Sequence, residues 1–299
     1  MSNWLISQEG TQTGLYLSMG FALAAAVLHA IFGALQKGRH DPWLSRAGID
    51  MVIFVLAMPV ALTLVPWPEP HLWLIFAGAW VIHTVYKILQ AMTYTRGAYT
   101  VVYPVVRGTG PLFAVLGAGL IFGEHFNAWQ WVGVAVLLTG IYGLALYNLR
   151  KLTVGRDRLV PALGFAVATG AMVALYTTYD AYGIRATENP FTFLVWFFVI
   201  DSLFMPVVNA RRLAAMPRAD LAHLLKRGFI GAIVAFASFG GIMLATRLGP
   251  VGHAAVLRET STVFSALIGW LMLGEHTGPR RVALMAMIAA GAVIVQLAA

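Results

Sequence analysis

The chain has no cysteine, so it can form neither a disulfide nor a thiolate metal site, and its redox compartment is left open. Charge is scarce: Asp, Glu, Lys and Arg make up 11% of its 299 residues, against about 25% in an average soluble domain. That is too little to cover a water-facing surface. Acid is scarcer than base, with 12 Asp and Glu against 20 Lys and Arg, a formal charge of +8 and a pI of about 10.0. In a soluble protein such a surplus would point to nucleic acid. Here no nucleic-acid-binding motif accompanies the basic residues, which sit in short loops between apolar runs, so nucleic acid is not an expected partner. There is no H-E-x-x-H, no Walker A sequence and no G-x-S-x-G, and therefore no support for a metal, a nucleotide or another cofactor. The short alternating strands of a transmembrane barrel are missing too.

What is there is apolar. Hydrophobic residues make up 60% of the chain and its mean hydropathy is +0.78. The apolar runs are long enough to cross a bilayer, which takes about 20 residues each. The expected fold class is an all-α polytopic membrane protein with ten transmembrane helices, over residues 13–36, 42–65, 71–95, 99–122, 129–149, 160–186, 190–210, 220–246, 250–273 and 280–298. The first run follows Glu9, has no basic flank and is too long for a signal-peptide core, so it is expected to be a retained span behind a 1–12 tail. Pro42 and Pro190 fall at helix starts, where the missing N–H costs nothing. Pro59, Pro104, Pro111 and Pro206 fall inside spans, where they should kink or loosen the helix.

The chain also repeats itself. A shift of 151 residues places Thr95-Arg96 on Thr246-Arg247, Arg107 on Arg258, Thr109 on Thr260, Phe113 on Phe264, and Gly123-Glu124-His125 on Gly274-Glu275-His276. Roughly a dozen identities fall in about 34 positions without a gap, and Arg, Glu and His inside or beside apolar spans do not match by compositional chance. The units are 13–149 and 160–299, joined by a loop at 150–159. Each holds five spans, an odd number, so the second enters the membrane from the opposite side. Inverted repeats of this kind are an architecture of secondary transporters, with the substrate site near the midplane between the halves.

These residues resemble the drug/metabolite transporter superfamily, specifically its EamA-type ten-span members. The most specific parts are Tyr103-Pro104-Val105-Val106-Arg107-Gly108-Thr109-Gly110-Pro111 in span 4 and Leu257-Arg258-Glu259-Thr260-Ser261 in span 9, with Gly-Glu pairs closing both spans. The resemblance covers nearly the whole chain. It implies alternating-access transport of small organic metabolites, frequently export of amino acids, without a nucleotide cofactor.

Ionisable groups inside a membrane normally face a cavity or a partner. Arg107 lies about eight residues, or about 12 Å, into span 4, and Arg258 lies equally deep in span 9 from the other face. In a core about 30 Å thick both stems start near the midplane. Such a pair can clamp a carboxylate, phosphate or phosphonate by two-point hydrogen bonding, or each can neutralise a resident acid such as Glu259, Asp180 or Asp201. In span 3, His83, Lys87, Gln90 and Tyr94 follow i, i+4, i+7, i+11 spacing and form one polar stripe beside Tyr86, which should line water or protein. Tyr103, Tyr176, Tyr179, Trp196 and Phe239 can stack on a substrate ring or cage an ammonium, or simply pack helices. Asp180, Asp201, Glu259 and His29 are candidates for a substrate amine or a coupling proton. Glu124 and Glu275 read as loop and cap residues, His125 and His276 as their solvated neighbours, and Trp129 and Trp131 as interface anchors.

The expected function is secondary transport, as an exporter, of a small anionic or zwitterionic metabolite such as an amino acid, with phosphonates or phosphate esters as the alternative. Two other classes compete. An intramembrane enzyme built on His29, His83 and Asp180 would turn over its substrate in detergent, and a channel would show neither saturation nor counter-exchange. The partners are the lipid bilayer, a small-molecule substrate and a coupling proton, with oligomeric state left open. On the face carrying both termini the loops hold only Arg185 and Arg247, 2 basic residues, against 15 on the opposite face, from Lys37 to Arg281. The positive-inside rule then places both termini outside the cytoplasm, in the cytoplasmic (inner) membrane, although the family is often drawn with cytoplasmic termini.

Overall fold

The computed structural model describes residues 2–36, 41–96, 99–150, 159–273 and 278–298. Gly274-Glu275-His276, the basic residues Lys37, Arg39, Lys151, Arg156 and Arg158, and most of the 150–159 loop lie outside them. Every regular element among the described residues is a helix: α1 (Ser2–Ser7), α2 (Gln12–Gln36), α3 (Pro42–Thr63), α4 (Leu72–Arg96), α5 (Tyr99–Phe122), α6 (Ala128–Arg150), α7 (Leu159–Arg185), α8 (Pro190–Asp201), α9 (Phe204–Val208), α10 (Ala210–Ala214), α11 (Arg218–Leu248), α12 (Val251–Arg258), α13 (Ser261–Leu273) and α14 (Pro279–Leu297). Helices satisfy their backbone internally, which lipid demands. Residues 2–7 of the expected tail form a short helix of their own.

The start signals act as the residues indicate. Asp41 accepts hydrogen bonds from the Trp43 and Leu44 N–H groups at 2.9 and 3.0 Å, with Pro42 opening α3. Asn189 accepts from the Phe191 N–H at 3.0 Å, with Pro190 opening α8. Both are side-chain N-caps in front of a helix-starting proline. Burial pushes the Asp41 carboxyl up, but Arg212 and the Leu44 and Trp43 N–H groups outweigh it and hold the carboxyl below its usual range.

Nine helices among the described residues are long and apolar enough to cross a membrane, counting 190–208 as one. The remaining expected span, the ninth, at 250–273, is divided. Helix α12 stops at Arg258 and α13 starts at Ser261. Across this break the backbone tightens to i→i−3 bonds, Glu259 N–H to Val256 O and Thr260 N–H to Leu257 O, each 3.1 Å. The Thr260 and Thr262 hydroxyls donate to the Leu257 and Glu259 carbonyls at 2.6 and 2.7 Å, so side chains take over part of the backbone pairing. A second break separates α8 from α9 at Ser202-Leu203, ahead of Pro206, where the expected span 190–210 continues only as short pieces. Broken helices at membrane depth are tolerated where they are buried in protein or line a cavity.

The helix pairings keep their pattern when the two halves are exchanged. Helix α2 packs on α11 and on α12–α13, as α7 packs on α4 and on α5. Helix α3 packs on α11 as α8 packs on α4, while α6·α14, α5·α12 and α3·α8 each map onto themselves. Small residues permit the closest of these contacts. A Cβ on Gly291 of α14 would stand 2.6 Å from the Gly133 carbonyl of α6, and one on Gly228 of α11 2.7 Å from the Gly48 carbonyl of α3.

On the face carrying the termini, side chains tie the loops together. Glu124 accepts from the Val251 and Gly252 N–H groups at 2.7 and 2.9 Å and so caps α12, a helix of the other half. The two arginines counted on this face cap each other's helices. Arg185, ending α7, donates to Thr246 and Gly249 carbonyls at the end of α11, each at 2.9 Å, and Arg247 of α11 donates to the Ile184 and Thr187 carbonyls at the end of α7. Cations at helix C-termini are favoured by the unpaired carbonyls and the helix dipole.

Candidate functional site

The two broken helices carry the buried charge. Each break places an acid in the bundle, Asp201 at the end of α8 and Glu259 after α12, and each acid meets a cation from the first half. Lys87 of α4 lies 3.0 Å from the Asp201 carboxylate and donates to the Asp201 carbonyl at 2.6 Å. Arg107 of α5 lies 2.9 Å from the Glu259 carboxylate, donates to the Ser261 hydroxyl at 3.0 Å and makes a long bond, 3.5 Å, to the carbonyl of its repeat mate Arg258. A buried cation thus serves both the carboxylate and a carbonyl at each break. These contacts offset part of the cost of taking the charges out of water, and they leave Asp201 Oδ1 without a hydrogen-bond partner among the described residues.

Around Lys87 the charges form a chain. Lys87 also meets Asp50 of α3 at 2.9 Å, and Asp50 meets Arg46 one turn away at 2.8 Å. Arg46 lies 3.7 Å from Asp201. On the other side His83 Nε2 is 2.9 Å from Asp180 Oδ2 of α7, and His83 Nδ1 is 4.0 Å from Asp201 Oδ1. The second cluster centres on Arg258, whose Nη2 donates to the Tyr176 hydroxyl at 2.5 Å. Aromatic rings join the two clusters: the His83 and Tyr176 rings lie 4.6 Å apart and those of Tyr86 and Tyr176 4.9 Å apart. The Arg258 guanidinium lies 5.9 Å from the Phe239 ring, and that of Arg107 6.0 Å from Tyr103. Gln90 donates to the Tyr86 hydroxyl at 2.6 Å, and His29 sits edge-on to Phe239 at 5.8 Å.

A small cavity opens between α7, α11 and α12, lined by Tyr176, Thr177, Asp180, Phe239, Ile242, Met243, Thr246 and Arg258. It has room for about one water molecule, so the site is closed on its own side chains. The open wall of the cavity is apolar, but two of its lining residues each carry a buried atom without a hydrogen-bond partner among the described residues, Asp180 Oδ1 and Arg258 Nε. Buried polar atoms left in this way are uncommon and call for an explanation.

Most of the residues singled out in the sequence therefore meet in one buried region. Tyr179 and Trp196 do not. The Tyr179 hydroxyl packs against Gly78, and the Trp196 ring meets Trp67 and Trp73 edge-on at 4.7 and 5.4 Å. Sequence reading missed Arg46 as a partner, Asp50 as the bridge to Lys87, Ser261 as an Arg107 acceptor and Glu124 as the cap of a distant helix. One signal was available for the break: Arg258-Glu259-Thr260-Ser261-Thr262 is five consecutive polar residues in an otherwise apolar span, which no single helix face can sort.

Comparison with known proteins agrees with this architecture. Residues 160–297, a little under half of the chain, match the model of the EamA-like transporter family. An uncharacterised protein, y4nH, of Sinorhizobium fredii (strain NBRC 101917 / NGR234) is 33% identical over 70 residues, 23% of this chain, and the match spans only 60% of that protein. A solved crystal structure shares the fold with a TM-score of 0.72 at 17% identity, over 96% of this chain and 99% of that one. Residues 160–297 thus match the EamA-like transporter family, and the whole chain shares its fold with a solved structure.

Proposed function

We propose that the chain is a secondary transporter that exports a small zwitterionic metabolite, an amino acid with an apolar side chain foremost, by alternating access. The observation that carries this reading is a pair of buried polar atoms without partners among the described residues, Arg258 Nε and Asp180 Oδ1, on two residues that line one small cavity whose open wall is apolar. A substrate carboxylate on Arg258 and a substrate ammonium on Asp180 would complete both, with Phe239, Ile242 and Met243 around an apolar side chain. Phosphonates and phosphate esters stand second, because a dianion needs another free cation and Arg107 is engaged by Glu259. The halves 13–149 and 160–299 would rock about the breaks, where hydroxyl-satisfied turns can change pairing at low cost.

A ligand that binds only the folded protein raises its apparent stability, by about 2.7 kcal/mol at a hundred times Kd. Purified protein screened by thermal shift against amino acids and phosphate esters should respond to apolar amino acids. A response confined to phosphate esters would move the substrate to the second class.

Orientation is a separate part of the proposal. The 15-to-2 excess of basic loop residues puts both termini outside the cytoplasm of an inner-membrane protein. The terminal-face arginines are moreover committed to helix ends, Arg185 to Thr246 and Gly249 and Arg247 to Ile184 and Thr187. A reporter active only in the cytoplasm, fused after Ala299, should stay silent. Strong signal there reverses the orientation.

A further inference from the structure

We infer that His83, held between Asp180 and Asp201, is a proton-binding site whose occupancy competes with the substrate's ammonium group, so that one proton is exchanged for each exported zwitterion. The inference rests on the zwitterion reading of the cavity. An ionised Asp180 carboxylate only accepts hydrogen bonds, and with it the 2.9 Å contact assigns the neutral ring's proton to His83 Nε2. Nδ1 is then the basic atom. It faces Asp201 Oδ1 at 4.0 Å, and that oxygen is buried with no hydrogen-bond partner among the described residues. A proton arriving at Nδ1 would form an N–H bond 4.0 Å from this carboxylate oxygen, beyond hydrogen-bond reach and within range of charge attraction. It leaves by the same bond to water, and no bond to the substrate is made or broken.

The charges of the region set the competition. Arg46, Lys87, Arg107 and Arg258 balance Asp50, Asp180, Asp201 and Glu259, four against four, while His83 is neutral. Protonated His83 adds one positive charge beside Asp180. A bound zwitterion puts its ammonium on the other oxygen of the same carboxylate and its own negative charge on Arg258. Holding both cations at one buried carboxylate is disfavoured, so each displaces the other, and by linkage the displacement is reciprocal.

The groups facing His83 and Asp180 are few. Helix α4 itself offers Tyr86 and Lys87, α7 offers Tyr176, α8 offers Asp201 and α12 offers Arg258. Helix α3 contributes Asp50 and Arg46 through Lys87, and α11 presents no titratable group to the cavity. Arg46, with 13% of its side chain exposed, ends this polar chain towards the face opposite the termini.

The test uses proteoliposomes with a trapped pH dye and labelled L-leucine as the probe. In the unmodified protein a leucine gradient should drive protons the opposite way, about one per leucine. In His83→Gln whatever leucine exchange remains should run with a proton-to-leucine ratio near zero. Leucine exchange without proton movement in the unmodified protein, or an unchanged ratio in His83→Gln, overturns the inference while leaving the amino-acid reading intact. If the unmodified protein exchanges no leucine, the amino-acid reading fails on its own, and the proton site is judged without ligand. Potentiometric titration in detergent should then show one more proton taken up on acidification than in His83→Gln. Equal uptake in the unmodified protein and His83→Gln overturns the proton site.

Discussion

Arg258→Ala is expected to reduce zwitterion exchange in proteoliposomes by about 100-fold or more while the protein still inserts and purifies. The Arg258 side chain has one protein partner by hydrogen bond, the Tyr176 hydroxyl, and no carboxylate within ion-pair distance among the described residues. Its loss therefore leaves no acid stranded. What goes is the anion-binding end of the cavity, a charge-assisted contact of about 1.5–3 kcal/mol together with the cost of burying an unpaired substrate carboxylate. At about 1.4 kcal/mol per tenfold these give two decades or more. Arg258→Lys should remain impaired by about tenfold or more, because lysine keeps the charge and loses the planar fork that can hold Tyr176 and a carboxylate at once. Initial rates against L-leucine concentration measure both variants, and ordinary kinetics in Arg258→Lys would refute two-point binding.

Arg107→Ala should act first on stability, by about 3–5 kcal/mol, since it strands the Glu259 carboxylate in the bundle. It also removes the donor to Ser261 and to the Arg258 carbonyl at the helix break. Removing both charges, as in Arg107→Leu with Glu259→Leu, should recover most of that stability, because a buried pair replaced by apolar groups is often neutral or better. Melting temperature and folded yield in detergent follow both variants. The repeat mates thus part company: the first holds the broken helix, and the second faces the cavity. Equal melting temperatures for Arg107→Ala and Arg258→Ala would contradict that division.

Much of this was legible in the sequence where a local rule sufficed. Pro42 and Pro190 marked two helix starts because a missing N–H is a local property, and the structure added Asp41 and Asn189 as their caps. The 151-residue repeat picked out Arg107 and Arg258 because charge in an apolar span is costly enough to be informative. Partnerships were not legible. Lys87 and Asp50 are 37 residues apart and His83 and Asp180 97, and only the packing of α3, α4, α7 and α8 decides that they meet. Tyr179 was grouped with Tyr176 and Asp180, yet one residue is about 100° of helix, which turns it from Asp180 to the Gly78 side. The break at Glu259-Thr260 was hidden by the apolar runs on either side, and its carbonyls are satisfied by hydroxyls that a hydropathy pattern counts only as polar.

The central claim is exchange of a zwitterion around one closed site, and counterflow tests it most directly. Proteoliposomes loaded with unlabelled L-leucine should take up labelled L-leucine against its chemical gradient, transiently and saturably, and Asp180→Asn should abolish the overshoot. Uptake that rises linearly with concentration, shows no overshoot and is unchanged in Asp180→Asn would contradict the account and leave a channel in its place.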